Sequence, residues 1–225
     1  MTEPVPSAPP ARVRVWDLPT RLVHWLVVLI VAFSWWTAET GRMEWHRWSG
    51  YTLLGLVLFR VYWGMAGSST ARFSQFVRGP RAISSYLQGG WTVVPGHNPL
   101  GALSVVALLA LLATQVGLGL FAVDVDGIES GPLSAYVSFE AGRAAAQWHE
   151  GNFNVLSLLI LLHVAAVMYY VIVRKQALVA AMVLGERAYP EPQPPPMRSA
   201  SVVRLLLGIV LAAALTWWVT RAFQI

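Results

Sequence analysis

The chain has no cysteine, and only 12% of its 225 residues are charged. The first absence excludes disulfides, thiolate metal sites, iron–sulfur clusters and covalent c-type haem attachment, which needs a C-x-x-C-H motif. The second excludes an ordinary soluble domain, whose surface is covered by roughly 25% charged residues. What is present points the same way: 56% apolar residues, 11 Trp and a mean hydropathy of +0.55. The sequence reads as an integral membrane protein. A net charge of +5 and a pI near 10 do not signal nucleic acid, because the basic residues lie in short runs between apolar stretches. That distribution is the usual mark of membrane topology.

Five apolar stretches approach the ~20 residues needed to cross a bilayer. They are Leu22–Ala38, His46–Ala66, Leu100–Val123, Trp148–Val173 and Val202–Arg221. All five are expected to be helices, because an open strand leaves its backbone unsatisfied in lipid. Trp35, Trp36, Trp45, Trp48, Trp217 and Trp218 form aromatic belts at their ends. Met1–Pro19 is Pro-rich and polar, and the first apolar stretch has no small-residue cleavage site, so it reads as a retained helix. Ala71–Leu87 interleaves Arg72, Arg78 and Arg81 with Phe73, Phe76 and Tyr86, which suits a short surface helix broken at Gly79-Pro80. Residues 186–201 hold Pro190, Pro192, Pro194, Pro195 and Pro196 and read as an extended linker.

Basic residues orient the chain. Eleven lie before the first span, between the second and third, or between the fourth and fifth; four (Arg42, Arg47, Arg143 and Arg221) lie on the opposite side. The positive-inside rule then places the N-terminus in the cytoplasm and the C-terminus outside. Acids collect on the outer side, among them Glu39, Glu44, Asp124, Asp126, Glu129, Glu140 and Glu150.

Histidines carry the chemistry. Ionisable groups in membrane helices are costly and face the bundle interior. His24 starts an inner end, His46 starts an outer end, and His149 and His163 lie fourteen residues apart on one helix. That spacing is almost four turns, so both imidazoles share one face about 21 Å apart. His149 is therefore level with His46, and His163 with His24. Two facing imidazoles suit a haem b iron with both axial positions filled. Zinc prefers three or four ligands, and no carboxylate or thiol accompanies either pair; a proton relay is the other competitor.

Arg60 lies fourteen residues after His46, on the same face at the inner level. It either snorkels to the interface or pairs with a haem propionate. Gly50 and Gly64, each four residues further on, either admit a flat macrocycle or serve helix packing. His97 reads as an interfacial loop residue and Gln115 as an inter-helix hydrogen bond, with a quinone contact the second reading of each. Tyr169 and Tyr170 read as interface residues.

Several motifs add a resemblance. V-W-D-L-P-T-R-L-V-H-W (Val15–Trp25), E-W-H-R-W-S-G-Y (Glu44–Tyr51), F-R-V-Y-W-G (Phe59–Gly64), A-R-F-S-Q-F-V-R-G-P (Ala71–Pro80), W-H-E (Trp148–Glu150) and L-L-H-V (Leu161–Val164) occur in order. With them, Val15 to about Gly185 resembles the prokaryotic cytochrome b561 family, which includes the cytochrome b subunits of nickel–iron hydrogenases. The resemblance implies a four-helix membrane bundle with two b haems, exchanging electrons between quinone and a redox partner. Its ligand pattern falls on His24 and His163 for the inner haem and on His46 and His149 for the outer one. Val202–Arg221 is then an added fifth helix, without ligand-type residues, that packs outside the haem core or docks a partner.

The expected protein is thus an all-α di-haem cytochrome b (1–185), a Pro-rich linker (186–201) and a fifth span (202–221) in a bacterial cytoplasmic membrane. It carries electrons between the quinone pool and a cytochrome c or oxidoreductase subunit, and electron transfer is favoured over a stand-alone enzyme. The acidic outer loop Asp124–Glu140 either steers a basic cytochrome c or merely obeys topology. Two other readings compete: a quinone-linked oxidoreductase acting on superoxide near Arg42, Arg47 and Arg143, and a non-redox anchor or proton/metal transporter.

Overall fold

Capping side chains, prolines and glycines set where each helix begins and ends. The computed structural model describes residues 12–90, 96–189 and 194–221. Most of the Pro-rich N-terminal stretch, together with Pro190 and Pro192 of the expected linker, lies outside the described residues.

Helix α1 (Leu18–Glu39) starts at Asp17, whose carboxylate accepts from the Thr20 N–H at 2.9 Å, with Pro19 in the first turn. A short turn with Gly41 at φ 68° reverses the chain into α2 (Met43–Ala66). The surface helix expected at Ala71–Leu87 is two pieces, α3 (Phe73–Phe76) and α4 (Pro80–Leu87), split where the sequence places Gly79-Pro80. Asn98 opens α5 (Pro99–Phe121) by accepting from the Gly101 N–H at 2.7 Å, and Ser138 opens α6 (Phe139–Ile172) through the Ala141 N–H at 3.2 Å. Helix α6 has 34 residues and begins well before the expected Trp148. At 1.5 Å per residue it is about 51 Å long, so one end runs beyond a ~30 Å hydrocarbon layer. Helices α7 (Leu178–Leu184) and α8 (Val202–Arg221) complete the set.

Helix α2 is the hub, packed against α1, α5 and α8, while α5 pairs with α6. Val57 of α2, Leu112 of α5 and Leu156 of α6 form a buried core closed by Val27 and Val31 of α1. On its other side α2 receives α8. Gly208 of α8 lies under the Tyr62 ring, where a Cβ would sit 2.5 Å from ring carbon, and the Tyr62 hydroxyl donates to the Arg204 carbonyl at 3.0 Å.

Among the described residues, four helices are long and apolar enough to cross a membrane: α1, α5, α6 and α8. Helix α2 has 24 residues, enough for a span, but carries Glu44, His46, Arg47 and Arg60. Many apolar side chains on the other helices face outward, Leu158, Leu161 and Val164 of α6 and Val203 and Val210 of α8 among them. Outward apolar surface of this extent suits lipid rather than water.

The described residues of the expected linker are not a free spacer. Strand β1 (Arg12–Arg14) pairs antiparallel with β2 (Glu186–Ala188), with Val13 opposite Arg187. The Gly185 carbonyl takes the N–H groups of Val15 and Trp16 at 2.8 and 3.1 Å. Val13, Val15, Trp16, Ala181 and Tyr189 close around this clamp as a second small core. Further along, Ser69 and Arg198 exchange two hydrogen bonds of 3.0 Å. The described linker residues are therefore tied to the segment before α1 and to the segment after α2 before α8 begins.

The α2–α8 contact leaves no space for a larger residue at Gly208. Gly208→Val is expected to destabilise the detergent-solubilised protein by about 1–3 kcal/mol, seen as a lower Tm; an unchanged Tm would mean that α8 does not rely on this close approach.

Candidate functional site

At one end of the bundle, His46 of α2 faces His149 of α6, with ring centroids 6.0 Å apart and planes at 83°. Each imidazole is held by a neighbouring helix. His46 Nδ1 lies 2.9 Å from the Ser34 carbonyl of α1, with the Ser34 hydroxyl at 3.2 Å. His149 Nδ1 lies 2.9 Å from the Gln115 carbonyl of α5. A carbonyl only accepts, so both Nδ1 atoms carry the proton and both Nε2 atoms are left with a free lone pair. All four bundle helices thus converge on two imidazoles ready to act as ligands.

Space accompanies them. A cavity of about 360 Å³, lined mainly by apolar groups, contains His46, His149 and Gly50 on its wall. This lies within the roughly 300–1,000 Å³ of cofactor pockets. A Cβ built on Gly50 would meet nothing within 4 Å, so this glycine opens the cavity. Gly64 has the other role: a Cβ there would run into the Phe73 ring, and its absence serves packing. At Gly119 a Cβ would lie 3.0 Å from His149 Cε1, so the imidazole rests against the bare backbone of α5. Gln115 makes the expected inter-helix bond, its Oε1 accepting from Asn152 Nδ2 at 2.7 Å.

The other end gathers His24 of α1, His163 of α6 and Arg60 of α2, near enough for their charges to interact through the cluster. His163 Nδ1 is 3.2 Å from the Ser104 hydroxyl of α5, and His24 stacks on Trp25 at 5.0 Å. Arg60 places its guanidinium 5.2 Å from the Phe73 ring centre, and its Nη1 is buried without a hydrogen-bond partner. A buried cationic donor with an unmet bond calls for an anion. The simple snorkelling reading of Arg60 leaves that bond unexplained.

His97 lies in the loop before α5, as expected, but is buried beside this second cluster. Its ring is wedged between Trp16 and Phe76, each 4.6 Å away centre to centre, and its Nδ1 is buried and unpartnered. Burial, and after it the charge of Arg60, holds it down at about 3, so it is a neutral imidazole at pH 7. Tyr170, read as a bilayer-interface residue, has its hydroxyl bonded to that of Tyr86, which also takes Asn98 Nδ2 at 3.0 Å. The residue thereby braces the loop that carries His97.

The rim of the His46/His149 cavity is not an open cationic funnel. Arg47 is ion-paired with Glu129, Arg143 donates to the Val123 carbonyl at 2.8 Å, and Arg42 lies over Trp36. Glu39, Asp124 and Glu150 also line that cavity. Of the three, Arg47 is neutralised by a carboxylate, while Arg42 and Arg143 keep their charge. Among the described residues no three His, Asp or Glu converge as a metal-binding group, which leaves zinc without its usual donor count.

A family model described as prokaryotic cytochrome b561 matches residues 15–185. The chain belongs to that family. It is accordingly a multi-pass membrane b-type cytochrome of electron transfer, and its cofactor is haem b. Two curated relatives bear the name "Probable Ni/Fe-hydrogenase B-type cytochrome subunit". They come from Azotobacter chroococcum mcd 1 and Azotobacter vinelandii and are 26% and 24% identical over 220 residues. Each alignment covers 81% of this chain and 91% of the relative. No solved structure matches the chain significantly.

The residues of this b561 member fit the group that the family implies. His46 and His149 face each other with ring centres 6.0 Å apart and both Nε2 lone pairs free, a donor pair that could hold a haem iron. Gly50 supplies open space beside that pair, and the orphaned Arg60 Nη1 supplies a donor at the other. Gly50→Leu is expected to lower the haem-to-protein ratio of the purified protein while the helical circular dichroism stays unchanged. Full haem loading, read by pyridine haemochrome, would assign Gly50 to packing instead.

Proposed function

We propose that the chain binds two b haems, one between His24 and His163 and one between His46 and His149, and carries electrons between them across the membrane. The observation that carries this reading is the facing pair at 6.0 Å with both Nδ1 protons tied to helix carbonyls. Haem b supplies the one-electron chemistry when bound. The chain's own groups do the rest. Ser34 and Gln115 fix the tautomer and ring orientation of His46 and His149, and Ser104 steadies His163. Arg60 offers positive charge at the His24/His163 end. Apolar side chains such as Val57, Leu112 and Leu156 fill the layer between the two pairs and exclude water from it.

The spacing of His149 and His163 on α6 sets the pairs about 21 Å apart along the bundle. With basic residues counted as cytoplasmic, the His24/His163 pair lies near the inner face and the His46/His149 pair near the outer face. The N-terminus is then cytoplasmic, and α1, α2, α5, α6 and α8 are five spans of a bacterial cytoplasmic membrane. Helix α2 crosses despite its charges because α1, α5 and α8 surround it.

The relatives named as hydrogenase cytochrome subunits support a redox-enzyme subunit as partner, with the quinone pool as the other terminus. The acidic rim around Glu39, Asp124 and Glu150 suits a partner with a basic docking face.

His163→Ala is expected to halve the haem content, from two haems per chain to one, while His46 and His149 keep theirs. Haemochrome titration with resolved optical redox titration reads this. Retention of both haems, or loss of the haem at His46/His149 instead, would overturn the ligand assignment.

A further inference from the structure

We propose that His97 is an anchoring residue for the haem at His24/His163, donating from Nδ1 to a haem carboxylate that Arg60 also holds. The proposal rests on the ligand assignment above and adds a residue outside it.

Both groups lack what a carboxylate would give them. His97 Nδ1 and Arg60 Nη1 are buried, and neither has a hydrogen-bond partner. An unmade bond on a buried donor costs about 1–3 kcal/mol, more when the donor is charged; with the single N–H of neutral His97 assigned to Nδ1, as the proposal requires, the two donors at one place mark a missing acceptor. The nearest acid does not fill it. Asp17 spends one oxygen on the Thr20 N–H and the other on Trp63 Nε1, both at 2.9 Å. Thr20 Oγ1 and Ser68 Oγ, on segments at the same end, are also buried without partners.

His97 is also held still. Trp16 and Phe76 grip its ring from two sides. Gly96 before it takes φ 100°, where a side chain would be strained, and Asn98 after it caps α5. Tyr86 then ties Asn98 to Tyr170 of α6, the helix that carries His163. The imidazole therefore has a fixed place relative to His163, which is the property an anchor needs. An acidic lipid headgroup offers the same anion chemistry. The haem carboxylate is preferred because Arg60, His24 and His163 all lie within charge range of His97.

The test uses full-length haem-loaded protein in nanodiscs of phosphatidylcholine alone, with the midpoint potentials of the two haems resolved. His97→Phe keeps the aromatic packing and removes the donor. A carboxylate that loses a donor favours the oxidised, more positive iron. The His24/His163 haem should therefore become about tenfold harder to reduce, about 59 mV for a one-electron couple, with the other haem unmoved. His97→Gln, which keeps an N–H donor, should recover most of that shift. Arg60→Gln should lower the same potential, and the double variant should fall short of the sum.

The unmoved His46/His149 haem reports folding in every sample. Should His97→Phe lose both haems, the Gln variant and Arg60→Gln carry the comparison. An unchanged potential in His97→Phe overturns the proposal, as does a shift that appears only when anionic lipid is present. The underlying reading fails separately, if His163→Ala keeps both haems; His163→Ala losing one haem while His97→Phe leaves its potential unmoved sinks only the anchor.

Discussion

The hydrogen bond from an imidazole Nδ1–H to a carbonyl of the next helix governs this bundle. His46 makes it to Ser34 and His149 makes it to Gln115, each at 2.9 Å. A polar ring inside an apolar bundle must satisfy one nitrogen, and a metal ligand must leave the other free. A main-chain carbonyl does both, because it accepts without competing for the metal. The same bond fixes α2 against α1 and α6 against α5, so the site geometry and the helix register are one constraint. Gly119 follows from it, since a side chain there would push the His149 ring away from α5.

Much of this was legible in the sequence because it depends on helical spacing alone. Fourteen residues between His149 and His163, and the opposite entry sides of His24 and His46, were enough to foresee His46 level with His149. The family followed from motifs between Val15 and Gly185, and the family match covers that stretch. Helix positions were also readable, since apolar length and caps such as Asp17 and Asn98 are local signals. The start of α6 was not, because Phe139–Gln147 is polar enough to pass for loop.

What escaped the sequence depends on chain segments far apart. The burial of the loop residue His97 comes from Trp16 and Phe76, contributed by two other segments. The Gly50 and Gly64 pair looked equivalent by spacing, yet only the position of Phe73 separates an open wall from a packing contact. The Pro-rich segment looked like a spacer for the same reason. Its attachment comes from pairing with Arg12–Arg14, almost the whole chain away. A signal did exist: Val13 and Val15 alternate with Arg12 and Arg14 at the period of a half-buried strand.

Helix α2 shows why cofactor and fold are hard to separate here. By composition it is the poorest membrane helix of the long ones, since Glu44, His46, Arg47 and Arg60 interrupt it. It is nevertheless the hub on which α1, α5 and α8 pack. Arg47 is neutralised by Glu129, and Ser34 satisfies His46. Arg60 alone remains with a buried donor unmatched by protein, beside the second pair of histidines. The Asp17 carboxylate interacts with that charge but makes no hydrogen bond to Nη1, so an anion bound there would complete it. The apolar helices around α2 can be placed without a cofactor, but α2 itself is completed by one.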